Sequence, residues 1–330
     1  MKDLVPAMEA AARKHPARVA VCDAHDERML RAAADLAQKK LALPVLLGDP
    51  RTIRSKAKKM GVSISGIEIV DAQSPGYQDE FAGRLAELRK HKGLTREEAG
   101  RLVADENYFG CMYVHCGYAD AIVGSAIVPT SALMKPVLQI LRKKDSLVSE
   151  VSVFSDIKNK RILFGTDGSL NISPSADDFA QMALHAAACV RRFGMEPRVA
   201  LLSFSTKGSG GDTPGLQAIR EAVRKARARE PGLIIDGELQ MDAAVNAPAA
   251  QRKCPDSPLH GDANVLVFPD LAAANIFLHG MMQFSDMTLD FTIIEGLARP
   301  AGIVGRSSPL QAVRNIMLSC AMQANADAYP

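Results

Sequence analysis

Short apolar runs alternate with amphipathic stretches along most of the chain. Residues 18–22 (RVAVC) read as a strand. Residues 26–40 place Leu30, Ala33, Leu36 and Ala37 on one side of a helix and charge on the other. Residues 43–47 and 67–70 repeat the strand pattern, and Asp49-Pro50 opens the helix between them. A further helix spans 77–90 and ends at Gly93. The sequence T-R-E-E at 95–98 is a capping box for the next helix. Residues 120–123 are strand-like. In the second half, S-A-D-D at 175–178 caps a long helix running to about Gly194, and 199–203, 233–236 and 264–268 are strands followed by helical sequence. Strands that alternate with helices predict an α/β fold built on parallel sheet. The interval 148–164 breaks the alternation: two β-like runs leave no room for a helix, which predicts an antiparallel hairpin or a domain junction.

A length of 330 residues fits two domains. The 40 basic and 37 acidic residues nearly balance, so the chain lacks the basic excess of a nucleic-acid binder. With no Trp and 5 Tyr it also lacks an aromatic platform for stacking bases. No apolar run approaches the roughly 18 residues that span a bilayer. Residues 1–14 are charged, without the apolar centre of a secretory leader, so a cytoplasmic location is expected. The six cysteines are scattered and form no C-x-x-C pair, which predicts free thiols. Cys111 and Cys116 flank His115, but were the segment helical a spacing of five would turn the two thiols apart, so no metal site is expected there.

Five segments carry groups suited to chemistry. The loop 203–215 (SFSTKGSGGDTPG) follows a strand and precedes a helix, and offers backbone N–H groups, the hydroxyls of Ser205 and Thr206, Lys207 and Gly208 to an anion. It is neither a Walker A loop nor a G-x-G-x-x-G turn. The basic run L-R-K-H-K-G at 88–93 suits a helix C-terminus, and Arg89 adds a planar fork for phosphate. Three carboxylates cluster in D-G-E-L-Q-M-D at 236–242, at a strand end where α/β folds place their sites. In 267–276 a strand runs into Pro269, and Asp270 caps a helix that presents Asn275. In G-R-S-S-P at 305–309, Ser308 reads as an N-cap before Pro309, and Arg306 stands beside that helix N-terminus.

Four blocks in order, ELRKHKG at 87–93, LSFSTKGSG at 202–210, DGELQMDAA at 236–244 and NVLVFPDLAAANI at 264–276, resemble the phosphate acetyltransferase family, and the resemblance extends from about residue 14 to 324. It implies a two-domain α/β fold similar to that of isocitrate and isopropylmalate dehydrogenases. The first domain is discontinuous, 1–145 with 290–330, the second is 146–289, and the active-site cleft lies between them. It also implies a homodimer.

The reaction implied is exchange of an acyl group, acetyl above all, between CoA and inorganic phosphate. CoA and acyl-CoA are substrates, with no tightly bound cofactor and no metal. Two polyanions must meet, so fixed cations are needed. Arg89 and Arg306 fall on family arginines, and Lys135 falls where the family has a third. Ser205, Thr206, Lys207, Gly208, Asn275, Ser307 and Ser308 are the expected contacts to CoA. Gly305 stands where the family has a serine and Ala312 where it has the aspartate proposed as base; Val128 to Ser131 replace its histidine-and-serine stretch. Ser307 or Ser308 is then the substitute hydroxyl, and Asp286 or Asp290 the substitute base. The alternative those losses raise is a regulatory relative that binds acyl-CoA or acyl phosphate without turnover. A hydroxyacid dehydrogenase of the similar fold is the remote third reading, since fold alone does not confer chemistry.

Overall fold

The structure is a computed structural model, and it describes residues 4–325. In chain order it begins with α1 (Leu4–Lys14), β1 (Ala17–Val21), α2 (Glu27–Gln38), β2 (Ala42–Leu47), α3 (Pro50–Lys59), β3 (Glu68–Val70), α4 (Pro75–Leu88), α5 (Arg96–Val103), α6 (Glu106–His115), β4 (Ala121–Gly124) and α7 (Thr130–Pro136), which a π-helical turn, Val137–Leu141, prolongs. There follow β5 (Ser149–Asp156), β6 (Arg161–Thr166), α8 (Ala176–Arg192), β7 (Arg198–Leu202), α9 (Pro214–Arg229), β8 (Ile234–Leu239), α10 (Met241–Val245), α11 (Ala247–Lys253), β9 (Val265–Val267), α12 (Leu271–Phe284) and β10 (Met287–Glu295). Strand β11 (Ala301–Ile303) and α13 (Leu310–Ala324) complete it. Two compact units result: one of Leu4–Ser146 with the described residues from Leu297 onward, the other of Leu147–Gly296.

The first unit holds an all-parallel sheet of order β11-β4-β1-β2-β3. The chain lays β2 and β3 to one side of β1, then returns to lay β4 and β11 on the other. The order therefore reverses between β1 and β4, where a parallel sheet opens a crevice at its carboxyl edge. All four residues of β4 are buried, as befits a strand covered on both faces. Helix α6 is buried along 107–114, so it has no polar face for periodicity to reveal. Gly110 lets it lie flat on the sheet: a Cβ there would come within 2.7 Å of Ile122 Cδ1 and 2.9 Å of Cys22 Sγ. Helix α13 packs along α2, β1 and β4, and its buried Arg314 pairs with Glu9 on α1 and with Asp35 on α2.

The second unit has a mixed sheet of order β10-β5-β6-β9-β7-β8. The interval 148–164 forms the antiparallel pair β5–β6, and β6, β9, β7 and β8 then run parallel. Asp290 lies inside β10, whose antiparallel pairing with β5 keeps 287–295 in this sheet. Both sheets give the α/β, parallel-dominated class that the sequence predicts.

Candidate active site

At the carboxyl edge of the first sheet, three loops meet beside the β1–β4 reversal. Beyond β1, Asp23 takes a left-handed conformation (φ 52°) and its Oδ2 accepts from the Ala126 N–H at 2.8 Å. That bond ties the loop after β1 to the loop after β4. Burial pushes the Asp23 carboxyl up, against the pull of the backbone donors it accepts from. Glu106, at the start of α6, accepts from the Asp23 N–H at 2.6 Å, and burial raises its carboxyl to about 7.

Arg28 joins these loops to the one after β11. Its Nη1 donates to the carbonyl oxygens of Arg306 at 2.8 Å, Ser308 at 3.0 Å and Gly305 at 3.3 Å. Its Nη2 donates to Ala126 O at 2.8 Å, while Nε and Nη2 clasp the Asp26 carboxylate. Asp26 in turn caps α2 through the N–H groups of Arg28 and Met29. Five N–H groups serve these six acceptors, one N–H on Nη1 being shared between two carbonyls, so none is left for a substrate.

Residues 305–308 close a turn, with the Ser308 N–H donating to Gly305 O at 3.0 Å and the Gly305 N–H to Ser308 Oγ at 3.1 Å. Here the structure departs from the expected cap. Ser308 bonds back across the turn, Pro309 takes the cap position, and no side chain caps α13. The first N–H groups of this 15-residue helix stay open beside Arg306. Arg306 and Ser307 are exposed, and the described residues give the Arg306 guanidinium no partner.

Arg89 closes α4 where the chain enters the Lys90–Lys92 turn, and Gly93 then adopts the left-handed conformation (φ 75°). Its charge acts on the Tyr108 hydroxyl, whose acidity is set first by burial. That hydroxyl donates to Gln139 Oε1 at 3.0 Å. Gln139 lies one turn beyond Lys135, which is exposed on α7. Thus one tyrosine feels the Arg89 charge and bonds to the segment that follows Lys135.

In the second unit, the glycine-rich loop after β7 encloses a carboxylate. Glu238 Oε1 accepts from the Gly208 N–H at 2.7 Å, Arg220 Nη2 at 3.0 Å and Ser205 Oγ at 3.1 Å, and its Oε2 accepts from Arg220 Nε at 2.7 Å. Although burial opposes it, the Arg220 bond and the other donors hold the carboxyl down to about 2. Thr206 exchanges bonds with Gln240, and its N–H donates to Ser209 Oγ at 3.0 Å. Gly210 N–H donates to Ser205 Oγ at 2.8 Å. The donors of Ser205, Thr206, Gly208 and Gly210 are therefore spent on the loop's own structure, and Ser205 and Thr206 are buried. Lys207 pairs with Asp236 while two-fifths of its side chain stays exposed. Of the three carboxylates at 236–242, Asp236 and Glu238 hold this loop and Asp242 pairs with Lys253. Asn275 is exposed on α12, which Asp270 caps. Asp290 accepts from Ser155 Oγ at 2.6 Å. Among the described residues, no group of three metal-ligating side chains comes together.

Arg28 and Glu238 are the residues that pattern reading missed as organisers. Arg28 reads as an ordinary first-turn residue of α2, because its partners lie nearly three hundred positions away in sequence.

Comparison with known proteins places this geometry. Residues 4–324 match the family model described as phosphate acetyl/butaryl transferase. The chain is 34% identical over 324 residues to the phosphate acetyltransferase of Bacillus subtilis (strain 168), covering 98% of this chain and 100% of that protein. The crystal structure of a phosphotransacetylase from Streptococcus pyogenes matches with a TM-score of 0.93 at 33% identity, covering 98% of each chain. A 4-hydroxythreonine-4-phosphate dehydrogenase from Burkholderia phymatum shares the fold alone, with a TM-score of 0.53 at 13% identity, covering 93% of this chain and 98% of that one.

Proposed function

The chain belongs to the phosphate acetyl/butaryl transferase family, and on that premise we propose that it exchanges a short acyl group, acetyl first, between CoA and inorganic phosphate. The observation that carries the reading is the 305–308 turn. It presents an unpartnered Arg306 beside the open N-terminus of α13, at the carboxyl edge of a parallel sheet. Such a place receives an anion, and Arg306 can grip phosphate with two parallel bonds.

Arg306, Arg89 and Lys135 act as the cations that offset repulsion between phosphate and CoA. Lys135 keeps the charge of an arginine but not its fork. The hydroxyls of Ser307 and Ser308 meet the thioester end of CoA. Ser205, Thr206 and Gly208 shape the loop that holds Lys207 outward, and Lys207 and Asn275 are the second unit's groups proposed to contact CoA. Ala312 brings no carboxylate to α13. A thiol of pKa near 8.5 is still a few per cent thiolate at neutral pH, so exchange proceeds without a dedicated base at that position, at the cost of about 10²–10⁴ in rate that such a base supplies. The protein acts in the cytoplasm as a homodimer; exposed Ile276 and Phe284 on α12 support self-association.

The test is phosphate-dependent release of CoA from acetyl-, propionyl- and butyryl-CoA. Turnover that Arg306→Ala abolishes supports the reading. CoA binding without turnover overturns it.

A further inference from the structure

We propose that Ser308 is a catalytic residue of this chain: its hydroxyl occupies the space left by the missing side chain at position 305 and donates to the thioester carbonyl oxygen as that oxygen gains charge. The inference rests on the acyl-exchange reading above and assigns one group within it.

The geometry of the turn makes the case. A Cβ built on Gly305 would lie 3.0 Å from Ser308 Oγ, the one neighbouring atom it meets within 4 Å. The hydroxyl therefore sits where a side chain at 305 would project, and the two cannot be accommodated together without a shift. The bonds of that hydroxyl are polarised in one direction. Its oxygen accepts from the Gly305 N–H at 3.1 Å, which leaves its proton to be donated. A hydroxyl that accepts one bond donates the next more strongly. Ser308 makes no cap bond to α13 that would compete. The turn is also fixed before substrate arrives, because Arg28 holds the carbonyls of 305, 306 and 308 together. Such preorganisation lets a donor stabilise a developing charge without reorganising. The nearby Ser125 hydroxyl is unsuited, since it donates to Val128 O at 3.2 Å.

An anionic oxygen of the hydrogen phosphate dianion attacks the thioester carbonyl carbon and forms the C–O bond. The carbonyl π pair moves onto oxygen, where the Ser308 O–H and the Arg306 charge receive it. The pair then returns, the C–S bond breaks and its electrons leave on sulfur. The thiolate takes up, through solvent, the proton that the acyl phosphate sheds. Ser308 keeps its own proton throughout.

The experiment compares the unmodified chain with Ser308→Ala, Ser308→Thr and the double variant Gly305→Ser with Ser308→Ala. Steady-state kinetics in both substrates and thermal unfolding of each variant are measured. Ser308→Ala lowers kcat by about 10²-fold, as loss of one such donor does, with the KM for phosphate nearly unchanged. Ser308→Thr keeps the hydroxyl and most of the rate. In the double variant, a hydroxyl restored from position 305 recovers kcat to within about tenfold of the unmodified chain. A Ser308→Ala enzyme with unchanged kcat overturns the inference while leaving acyl exchange intact. So does a double variant that folds but recovers nothing, because Ser308 then acts only on the shape of the turn. An unmodified chain without turnover instead removes the acyl-exchange reading and this inference together.

Discussion

Arg28 Nη1 lies 2.8 Å from the carbonyl oxygen of Arg306, so one arginine sets the position of the other without touching substrate. The same guanidinium reaches Ala126 O, and Asp26 fixes its orientation. Replacing it by alanine releases the loops after β4 and β11 from each other. Displacing a reacting group by about 1 Å costs on the order of 10² in rate. Arg28→Ala is therefore expected to lower kcat/KM by about that factor, and Arg28→Lys to recover little, since an ammonium lacks the fork. The informative readout is the split: a turn that has lost its shape lowers kcat more than it raises the KM for phosphate.

Much of the framework was legible in the sequence because it follows from local rules. Asp49, Thr95, Ser175 and Asp270 all cap helices where their spacing predicts. The β5–β6 hairpin shows as two β-like runs with no room between them. Helix α6 did not show, because burial on all sides erases the period. The Ser308 cap misled for a different reason: a hydroxyl beside a glycine had a closer donor across the turn than in the helix. The glycine-rich loop looked like an open anion cradle, yet its Gly208 N–H and Ser205 hydroxyl belong to Glu238, a partner some thirty residues on that no local pattern reveals.

Glu106 makes stability fall as pH rises. Its carboxyl, raised by burial to about 7, binds a proton in the folded chain that the unfolded chain has released from about pH 4.5 upward. The favourable contribution is thus complete below that pH and is lost as pH climbs through 7. Glu106→Gln keeps an acceptor for the Asp23 N–H and removes the charge. Urea unfolding is expected to show the variant on the order of 3 kcal/mol more stable at pH 8, with the two chains nearly equal at pH 4.5.

Glu238 acts with the opposite sign. Its carboxyl is held near 2, so the stability it lends the second unit is present above the ordinary carboxylate range and disappears as pH falls toward 2. Glu238→Ala leaves the Gly208 N–H and the Ser205 hydroxyl without this acceptor and Arg220 with only Asp212 and Gly211 O, and is expected to cost about 3 kcal/mol at neutral pH. Acid unfolding followed by circular dichroism should begin at a higher pH in the variant. Limited proteolysis should open first in the loop after β7.

Arg314 joins three helices. Its guanidinium is one-tenth exposed and pairs with both Glu9 and Asp35. Arg314→Ala leaves the partly buried Glu9 without this cation and Asp35 with Lys39 alone. A loss of about 3–5 kcal/mol in the urea unfolding free energy is expected. Restoring a cation with Lys should recover only part of it, because one ammonium cannot serve both carboxylates as a fork does.

On the proposed function, Arg306, presented by its turn beside α13, grips the phosphate that this chain exchanges with CoA. The most direct measurement is CoA release from acetyl-CoA as phosphate is varied, with the unmodified chain and Arg306→Ala side by side. Saturable, phosphate-dependent release is expected, falling by at least about 10²-fold in the variant. Equal rates in the two proteins, or no release from either while CoA still binds, would contradict it.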